Sequence, residues 1–268
     1  MTSSFGRSLI YRIGGILTRL AERDWGKATE LAQRLYLTAH LAGKRLLDGR
    51  ELKALAALAQ PGMVVCDVGA NVGITTVTFA QRVGPGGRVL AFEPDPFNAT
   101  VFRRHLKRGP FANVTLYEIG LDEGPGTRHL RINPASRADS RIVPAGVMPL
   151  PGTVTVPCDS LDAVLARIQV DRVDLIKIDV QGFEPFVLRG MHITLAKNPG
   201  IQMVLELYPD GLAEQGQAPQ SLLDFLFDAF PVVEPWTGSR WTPLHRHEAA
   251  NWLKTFGRGA YTDLWCHP

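Results

Sequence analysis

The sequence predicts an α/β protein built on a doubly wound sheet. From residue 63 onward, apolar segments of strand length alternate with segments of helical length and periodicity. The strand segments are apolar on both faces, which is typical of a parallel sheet covered by helices on both sides. The first of them, in VVCDVGANVGITT at residues 64–76, turns through spaced glycines directly into a helix. Ligands bind at this type of turn in doubly wound sheets.

The predicted elements follow one another in a regular order. The strands are MVVCDV, RVLAFEP, NVTLYEI, TVTVP, VDLIKIDV, IQMVLELY, PVVEP and AYTDLWC. The helices are ITTVTFAQRV, PFNATVFRRHLKR, SLDAVLARI, EPFVLRGMHITLAK and PQSLLDFLFDAF. Pro94 and Pro96 end the second strand, because proline cannot donate a ladder hydrogen bond. Residues 122–152, rich in Gly, Pro, Ser and Arg, are predicted to be an irregular segment, and a long segment of this kind is usually functional or disordered.

Composition and charge narrow the class of protein. The chain has 268 residues, of which 45% are hydrophobic and 21% charged, an ordinary globular balance. We expect an N-terminal helical cap over residues 1–60 and one α/β domain over residues 61–268. The net charge of +3 arises in residues 1–50, which hold 9 Lys and Arg against 4 Asp and Glu. The main body therefore carries no signature of nucleic-acid binding.

The basic N-terminal segment has two interpretations. It could lie as an amphipathic element on an anionic membrane or on a partner. It could instead form helices that cap the core and turn their arginines to solvent, which is favoured because surface amphipathic helices are common. We find no signal peptide pattern. The cysteines, Cys66, Cys158 and Cys266, form no CxxC pair and indicate a reducing compartment, so we expect a cytoplasmic protein.

The turn after the first strand tests whether the chain binds a dinucleotide. The dinucleotide fingerprint requires glycines at positions 69, 71 and 74, but Asn71 and Ile74 occupy the last two. A nicotinamide-dependent dehydrogenase is therefore the weaker alternative. The pattern that remains is Asp67-x-Gly69-x-Asn71-x-Gly73. Glu93 ends the second strand 20 residues after Gly73, where an acidic residue can accept both hydroxyls of a ribose.

Four motifs together resemble one family. DVGANVGITT, FEPDP, GLDEGPG and DLIKIDVQGFEPFVLRG are similar to FkbM-type S-adenosylmethionine-dependent methyltransferases over residues 62–210. The resemblance implies the class I methyltransferase fold, a Rossmann-like seven-stranded sheet whose last strand is antiparallel. It also implies methyl transfer from S-adenosyl-L-methionine to an oxygen, commonly a hydroxyl of a sugar, polyketide or other natural product. The chain departs from the family pattern at Gln181, where a glutamate is common, and at residues 120–123.

The same resemblance implies cofactor contacts after the first four strands. The implied residues are Asp67, Gly69, Asn71, Gly73, Glu93, Leu121, Asp122 and Asp179. The two glycines and Asn71 would shape the loop around the methionine part, and Asp67 would support that loop or reach the amino group. Glu93 would take the ribose hydroxyls, and Leu121 and Asp122 would lie beside the adenine.

Catalysis is expected where the strands VDLIKIDV and IQMVLELY end. Methyl transfer requires alignment of the acceptor oxygen and removal of its proton. Asp179 and Glu206 are the candidate carboxylates, whereas Glu184 is interpreted as a residue favoured in the first turn of a helix. His245 is a further candidate base, although a surface loop is the favoured interpretation of HRHE. Carboxylates on adjacent strand ends can also hold Mg²⁺, but no metal signature is sharp enough to assign one.

The expected partner is a hydroxylated small molecule. Residues 122–152, together with the N-terminal helices, are expected to recognise it. Four arginines of this segment would order over a polar or anionic acceptor as a lid, or else be solvated on a floppy insertion. They are Arg128, Arg131, Arg137 and Arg141. A third alternative is a non-catalytic binding protein on the same frame, because a fold does not guarantee activity.

Overall fold

The computed structural model describes residues 31, 33, 35–38, 49–133, 136–149 and 151–268. The helices in these ranges are α1 Gly49–Leu58, α2 Ile74–Val83, α3 Pro96–Leu106, α4 Leu161–Arg167, α5 Glu184–Arg189, α6 His192–Lys197, α7 Pro209–Glu214, α8 Pro219–Ala229 and α9 Arg246–Leu253. The strands are β1 Val64–Val68, β2 Arg88–Phe92, β3 Val114–Tyr117, β4 Gly120–Leu121, β5 Gly126–Arg131, β6 Arg141–Ile142, β7 Thr153–Asp159, β8 Leu175–Ile178, β9 Gln202–Leu207, β10 Val232–Pro235 and β11 Thr262–His267.

Seven strands form the main sheet, in the order β10-β11-β9-β8-β1-β2-β3. The pairs β1–β2, β2–β3, β1–β8 and β8–β9 are parallel. The last strand, β11, is antiparallel to both of its neighbours, β9 and β10. The predicted sheet is thus confirmed. The chain builds outward from β1 to β3 and then returns to β8, so the strand order reverses beside β1, where doubly wound sheets form their ligand crevice.

Alternation along the strands places one apolar set on each face of this sheet. Cys66 and Leu90 point into the larger core with Leu161 of α4, whereas Val65 packs against Phe79 of α2 on the opposite face. These five side chains are all buried. Successive strand residues face opposite sides of the sheet, and helices such as those that carry Leu161 and Phe79 cover both sides. This double burial explains why the strands read as continuous apolar runs.

Residues 122–152 differ from the sequence prediction. Two of their strands, β5 and β6, join β4 and β7 in a small four-stranded sheet of order β4-β7-β5-β6, with β5 and β7 antiparallel over residues 126–131 and 153–158. The segment is therefore strand at residues 126–131 and 141–142, whereas residues 143–149 are irregular as predicted. The pattern failed to reveal β5 because Leu130 is its one buried residue, so the strand lacks an apolar run.

The predicted helix EPFVLRGMHITLAK is two helices, α5 and α6, interrupted at Gly190. Glycine is a poor helix former, so the break follows from the residue itself.

Most of the basic N-terminal segment lies outside the described residues, so both interpretations of it stay predictions, as does a domain boundary at residue 60. Residues 35–38 are helical, with Tyr36 and Leu37 buried. In the described part of the chain, every helix is too short or too polar to cross a bilayer.

Candidate active site

The turn between β1 and α2 is held in left-handed backbone conformations. Gly69 has a φ of +80°, Asn71 of +53° and Gly73 of +83°. A Cβ atom at Gly69 would lie 1.9 Å from the backbone oxygen of Asp179, and one at Gly73 would lie 2.1 Å from the ring of Phe102. Both positions therefore require glycine, for conformation as well as for space. The spacing read from the sequence is the spacing that this turn needs.

Asp67 supports the turn from below. Its Oδ2 atom accepts a hydrogen bond of 2.6 Å from the hydroxyl of Thr76, and both residues are buried. Since Thr76 lies in the first turn of α2, this contact ties the end of β1 to the start of the helix. Of the two roles expected for Asp67, the geometry favours support of the loop.

The Glu93 side chain is hydrogen-bonded to the same turn. Its Oε2 atom accepts the backbone N–H of Asn71 at 2.8 Å, and its Oε1 atom accepts that of Asp95 at 2.9 Å. Burial raises the pKa of this carboxyl to about 7, and the hydrogen bonds from Asp95 and Asn71 oppose the rise. These two hydrogen bonds fix the carboxyl group in place. Because a carboxylate offers about four acceptor sites, it can still accept hydrogen bonds from a ligand.

A cavity of about 490 Å³ opens above these strand ends. This volume lies in the range of small-molecule sites. The residues predicted from the sequence that line it are Gly69, Asn71, Glu93, Leu121, Asp179 and Glu206. The small sheet contributes Leu130 and Arg141 to the wall, the short 3₁₀ turn between β5 and β6 contributes Arg137, and the last strand contributes Asp263. Elements that are far apart in the sequence therefore meet around one site.

Two predicted site residues, Asp122 and His245, neither form the glycine turn nor line the cavity. The Asp122 carboxylate is bound by Arg128 at 2.6 Å, so its side chain serves the small sheet, while Leu121 alone of the pair lines the cavity. His245 is exposed and begins α9, where its backbone N–H donates to Glu248 at 3.1 Å. His245 therefore caps a helix and does not line the cavity with the two candidate carboxylates, and its role as a base stays a prediction.

A linked group of polar side chains stands at the ends of β8 and β9. Lys177 Nζ lies 2.8 Å from Asp179 Oδ2. The Gln181 amide donates from Nε2 both to Asp179 Oδ1, at 3.0 Å, and to Glu206 Oε2, at 2.6 Å. These four residues, Lys177, Asp179, Gln181 and Glu206, are called the strand-end cluster below. Gln181, at which the chain departs from the family pattern, is what joins the two carboxylates.

The charges in this cluster shift each other's protonation. Burial, followed by the nearby carboxylates of Asp179 and Asp263, raises the pKa of Glu206 well above its usual value. Burial alone would lower the pKa of Lys177, but Asp179, Asp67 and Asp263 outweigh it, so the pKa is raised and the lysine stays protonated. The cluster therefore combines a protonated lysine with a glutamate whose pKa lies well above its usual value, and such a pair can take part in proton exchange.

Glu184 holds the turn that carries Gln181. Its Oε1 atom accepts the backbone N–H groups of Val180 and Gly182, each at 3.1 Å. It is fully buried, and burial raises the pKa of the carboxyl to about 7. These contacts agree with its interpretation as a residue of the first helical turn.

Sequence reasoning missed several residues of the cavity. Lys177 had a signal, since a lysine inside a strand of otherwise apolar residues requires a partner when buried. Tyr208 also had one, since it directly follows β9 at the strand end that carries Glu206. Tyr261 and Asp263 had none, because only the antiparallel pairing of β11 with β9 brings them to the site. Across the described ranges, no group of three or more His, Cys, Asp or Glu side chains is arranged to hold a metal ion.

The sheet order, with an antiparallel last strand, and the glycine turn facing Glu93 define a class I methyltransferase. Comparison with protein families gives the narrower assignment. The family described as "Methyltransferase FkbM domain" matches residues 67–230 of the chain. The chain therefore belongs to the FkbM methyltransferase family and is an S-adenosylmethionine-dependent methyltransferase.

Its relatives include enzymes that are named methyltransferases. The 2-O-methyltransferase NoeI of Sinorhizobium fredii is 26% identical over 189 residues, which cover 66% of this chain and 75% of NoeI. The hexuronic acid methyltransferase AglP of Haloferax volcanii is 27% identical over 140 residues, covering 52% and 54%. Among solved structures, precorrin-6y C5,15-methyltransferase of Geobacter metallireducens covers 80% of this chain and 86% of its own at 15% identity, with a TM-score of 0.45, and carries no functional argument.

Proposed function

We propose that the protein transfers the methyl group of S-adenosyl-L-methionine to a hydroxyl oxygen of a neutral sugar or related natural product. One observation carries the proposal: a single cavity joins the buried Glu93 carboxyl, beside the glycine turn, to the strand-end cluster. The Glu93 carboxyl and the glycine turn suit a nucleoside, and the strand-end cluster suits proton removal from a hydroxyl. The printed names of NoeI and AglP support a small hydroxylated acceptor.

The residues present fit the cofactor. Glu93 faces the cavity with unused acceptor sites for the ribose hydroxyls. The backbone of Gly69 and Asn71 would surround the methionine part, and Leu121 and Phe92, which line the same cavity, would provide apolar contacts for the adenine. Asp67 acts through the loop, because its hydrogen bond to Thr76 shapes the turn.

In this proposal the strand-end cluster manages the proton of the acceptor. The bound cofactor supplies an electrophilic methyl group whose sulfonium charge is neutralised on transfer. Asp179 orients the acceptor hydroxyl and accepts its proton, since Lys177 and Gln181 fix both carboxylate oxygens in place. Glu206, joined to Asp179 through Gln181, is a second acid that can share the proton.

The charge of the cavity favours a neutral acceptor. Among the described residues that line it, seven are acidic and three are basic. Each of the three basic side chains is paired with a carboxylate: Lys177 with Asp179, Arg137 with Asp95, and Arg141 with Glu214. An excess of acid suits a cationic cofactor and opposes an anionic acceptor. The hexuronic acid in the name of AglP is therefore not carried over to this chain.

Aromatic side chains complete the acceptor side. Tyr36, Tyr208 and Tyr261 line the cavity, and Tyr261 is half exposed at 50%. A tyrosine offers a rigid apolar ring together with a polar hydroxyl, which suits a ligand with C–H faces and hydroxyl edges.

Two measurements test the proposal. In calorimetric titration, S-adenosylhomocysteine should bind in the micromolar range and raise the melting temperature, whereas NAD should do neither. Methyl transfer from labelled S-adenosylmethionine should then be measured on paired acceptors, neutral glycosides and the matching uronic acids. We expect turnover of the neutral member. Binding of NAD alone would establish a dehydrogenase, cofactor binding without any turnover would favour a binding protein, and preference for uronic acids would refute the charge argument.

A further inference from the structure

Arg137 joins the small sheet to the cofactor side of the cavity. Its Nη1 atom donates to the Asp95 carboxylate, at 2.7 Å from Oδ1, and its guanidinium lies over the ring of Phe97, 4.4 Å from the centroid. The side chains are 9% and 2% exposed. Because the pair is buried, the removal of one partner has a larger effect than at a surface ion pair.

Asp95 connects this ion pair to Glu93. The backbone N–H of Asp95 donates to Glu93 Oε1 at 2.9 Å, so the two residues are held together directly. The Asp95 side chain also accepts the backbone N–H of Phe97 at 2.9 Å and thereby caps α3. The position of the Glu93 carboxyl thus depends on where Asp95 is held.

We propose that Arg137 is a positioning residue for the cofactor: it holds Asp95, which in turn fixes Glu93 against the ribose. Cofactor binding and the order of residues 136–142 are then coupled. This inference rests on the proposed function only for the ribose contact. It also changes the lid hypothesis drawn from the sequence, because Arg137 serves the cofactor rather than the acceptor.

The coupling has a simple electrostatic basis. Without the guanidinium, the Asp95 carboxylate is left buried and unneutralised two residues from Glu93. The two acids then repel each other more strongly, which displaces Glu93 or leads it to take up a proton. Either change weakens a carboxylate as the acceptor of ribose hydroxyls.

Three variants test the inference by titration with S-adenosylhomocysteine. Arg137→Met keeps the apolar stem over Phe97 but removes the charge, and we expect about 10-fold weaker binding, as for the loss of a charge-assisted contact. Arg137→Lys keeps the charge but loses the planar guanidinium that lies over Phe97, and it should lose about 3-fold. Arg131→Ala is the control, since Arg131 lies in the neighbouring strand β5 but is 50% exposed and pairs with Glu214. It should bind as the wild type does.

Two further readouts separate positioning from general stability. The KM for S-adenosylmethionine should rise in Arg137→Met while kcat and the KM for the acceptor change little. The ligand should slow hydrogen exchange of residues 136–142 in the wild type and not in this variant.

Equal affinity in Arg137→Met and the wild type would overturn the inference, and so would equal losses in Arg137→Met and Arg131→Ala. If Arg137→Met does not fold, Arg137→Lys decides, and wild-type affinity in that variant overturns the inference. A wild-type protein that binds no S-adenosylhomocysteine would refute the proposed function instead.

Discussion

Replacement of Glu93 tests the cofactor site most directly. Glu93→Gln keeps the size of the side chain but turns one acceptor oxygen into an amide donor. The two oxygens now accept the backbone N–H groups of Asn71 and Asp95, at 2.8 and 2.9 Å, so the amide must face one of these donors or the ribose. In either case at least one charge-assisted contact to the ligand is lost.

The expected loss follows from that count. A hydrogen bond to a charged group contributes roughly 1.5 to 3 kcal/mol, so the Kd for S-adenosylhomocysteine should rise about 10- to 100-fold. Glu93→Ala should bind as weakly and should also melt at a lower temperature, because two buried backbone donors lose their acceptor. Far-UV circular dichroism should change little in both variants, since β2 does not depend on this side chain.

Isothermal titration calorimetry provides the measurement, with Glu118→Gln as the matched control. Glu118 is 42% exposed and forms a surface ion pair of 3.2 Å with Arg103. The same chemical change there should leave the affinity as it is. If Glu93→Gln binds S-adenosylhomocysteine with wild-type affinity, Glu93 serves only to close the turn at Asn71, and the assignment of the ribose site is wrong.

Two further predictions concern the strand-end cluster and the turn beneath it. Asp179→Asn should reduce turnover by about 10²- to 10⁴-fold with cofactor affinity nearly intact, because the amide cannot accept a proton; Asp171→Asn, at an 88% exposed side chain, is the control, and wild-type turnover of Asp179→Asn would move the base elsewhere. For Glu184, the pKa raised from 4.5 to about 7 means that the folded state loses stability as pH rises between these values. Glu184→Gln imitates the protonated acid, so it should match the wild type near pH 4.5 and exceed it above pH 7 by at most roughly 3 kcal/mol in free energy of unfolding. Denaturant unfolding measured at both pH values checks this, and a pH-independent difference would contradict it.

The main sheet could be predicted because its physical requirements are local. Buried parallel strands require apolar residues on both faces, and a turn that approaches a ligand requires glycines in fixed register, as at Gly69 and Gly73. The cofactor half of the site follows from the same logic, since Glu93 ends the strand next to that turn. These features can be read from short stretches of sequence.

The rest depends on contacts between distant residues. The small sheet escaped prediction because β5 buries only Leu130, so the pairing with β7 stabilises it more than its own pattern does. Asp122 was expected beside the adenine, but Arg128 binds its carboxylate within the same sheet. For His245 the sequence left a base and a surface role open, and its exposed position at the start of α9 agrees with the surface role.

The paired arginines also change how the acceptor is expected to be recognised. The sequence suggested a lid in which the arginines order over a polar or anionic acceptor, or else a floppy insertion with solvated arginines. In the structure Arg137 is bound to Asp95 on the cofactor side, whereas Arg141 lies 4.8 Å from the ring centroid of Tyr208 and donates to Glu214. A guanidinium already satisfied by a carboxylate has little attraction left for a second anion. Arg137 and Arg141 therefore fix the walls of the cavity, which agrees with the proposal that the tyrosines and the strand-end carboxylates select a neutral, hydroxylated acceptor.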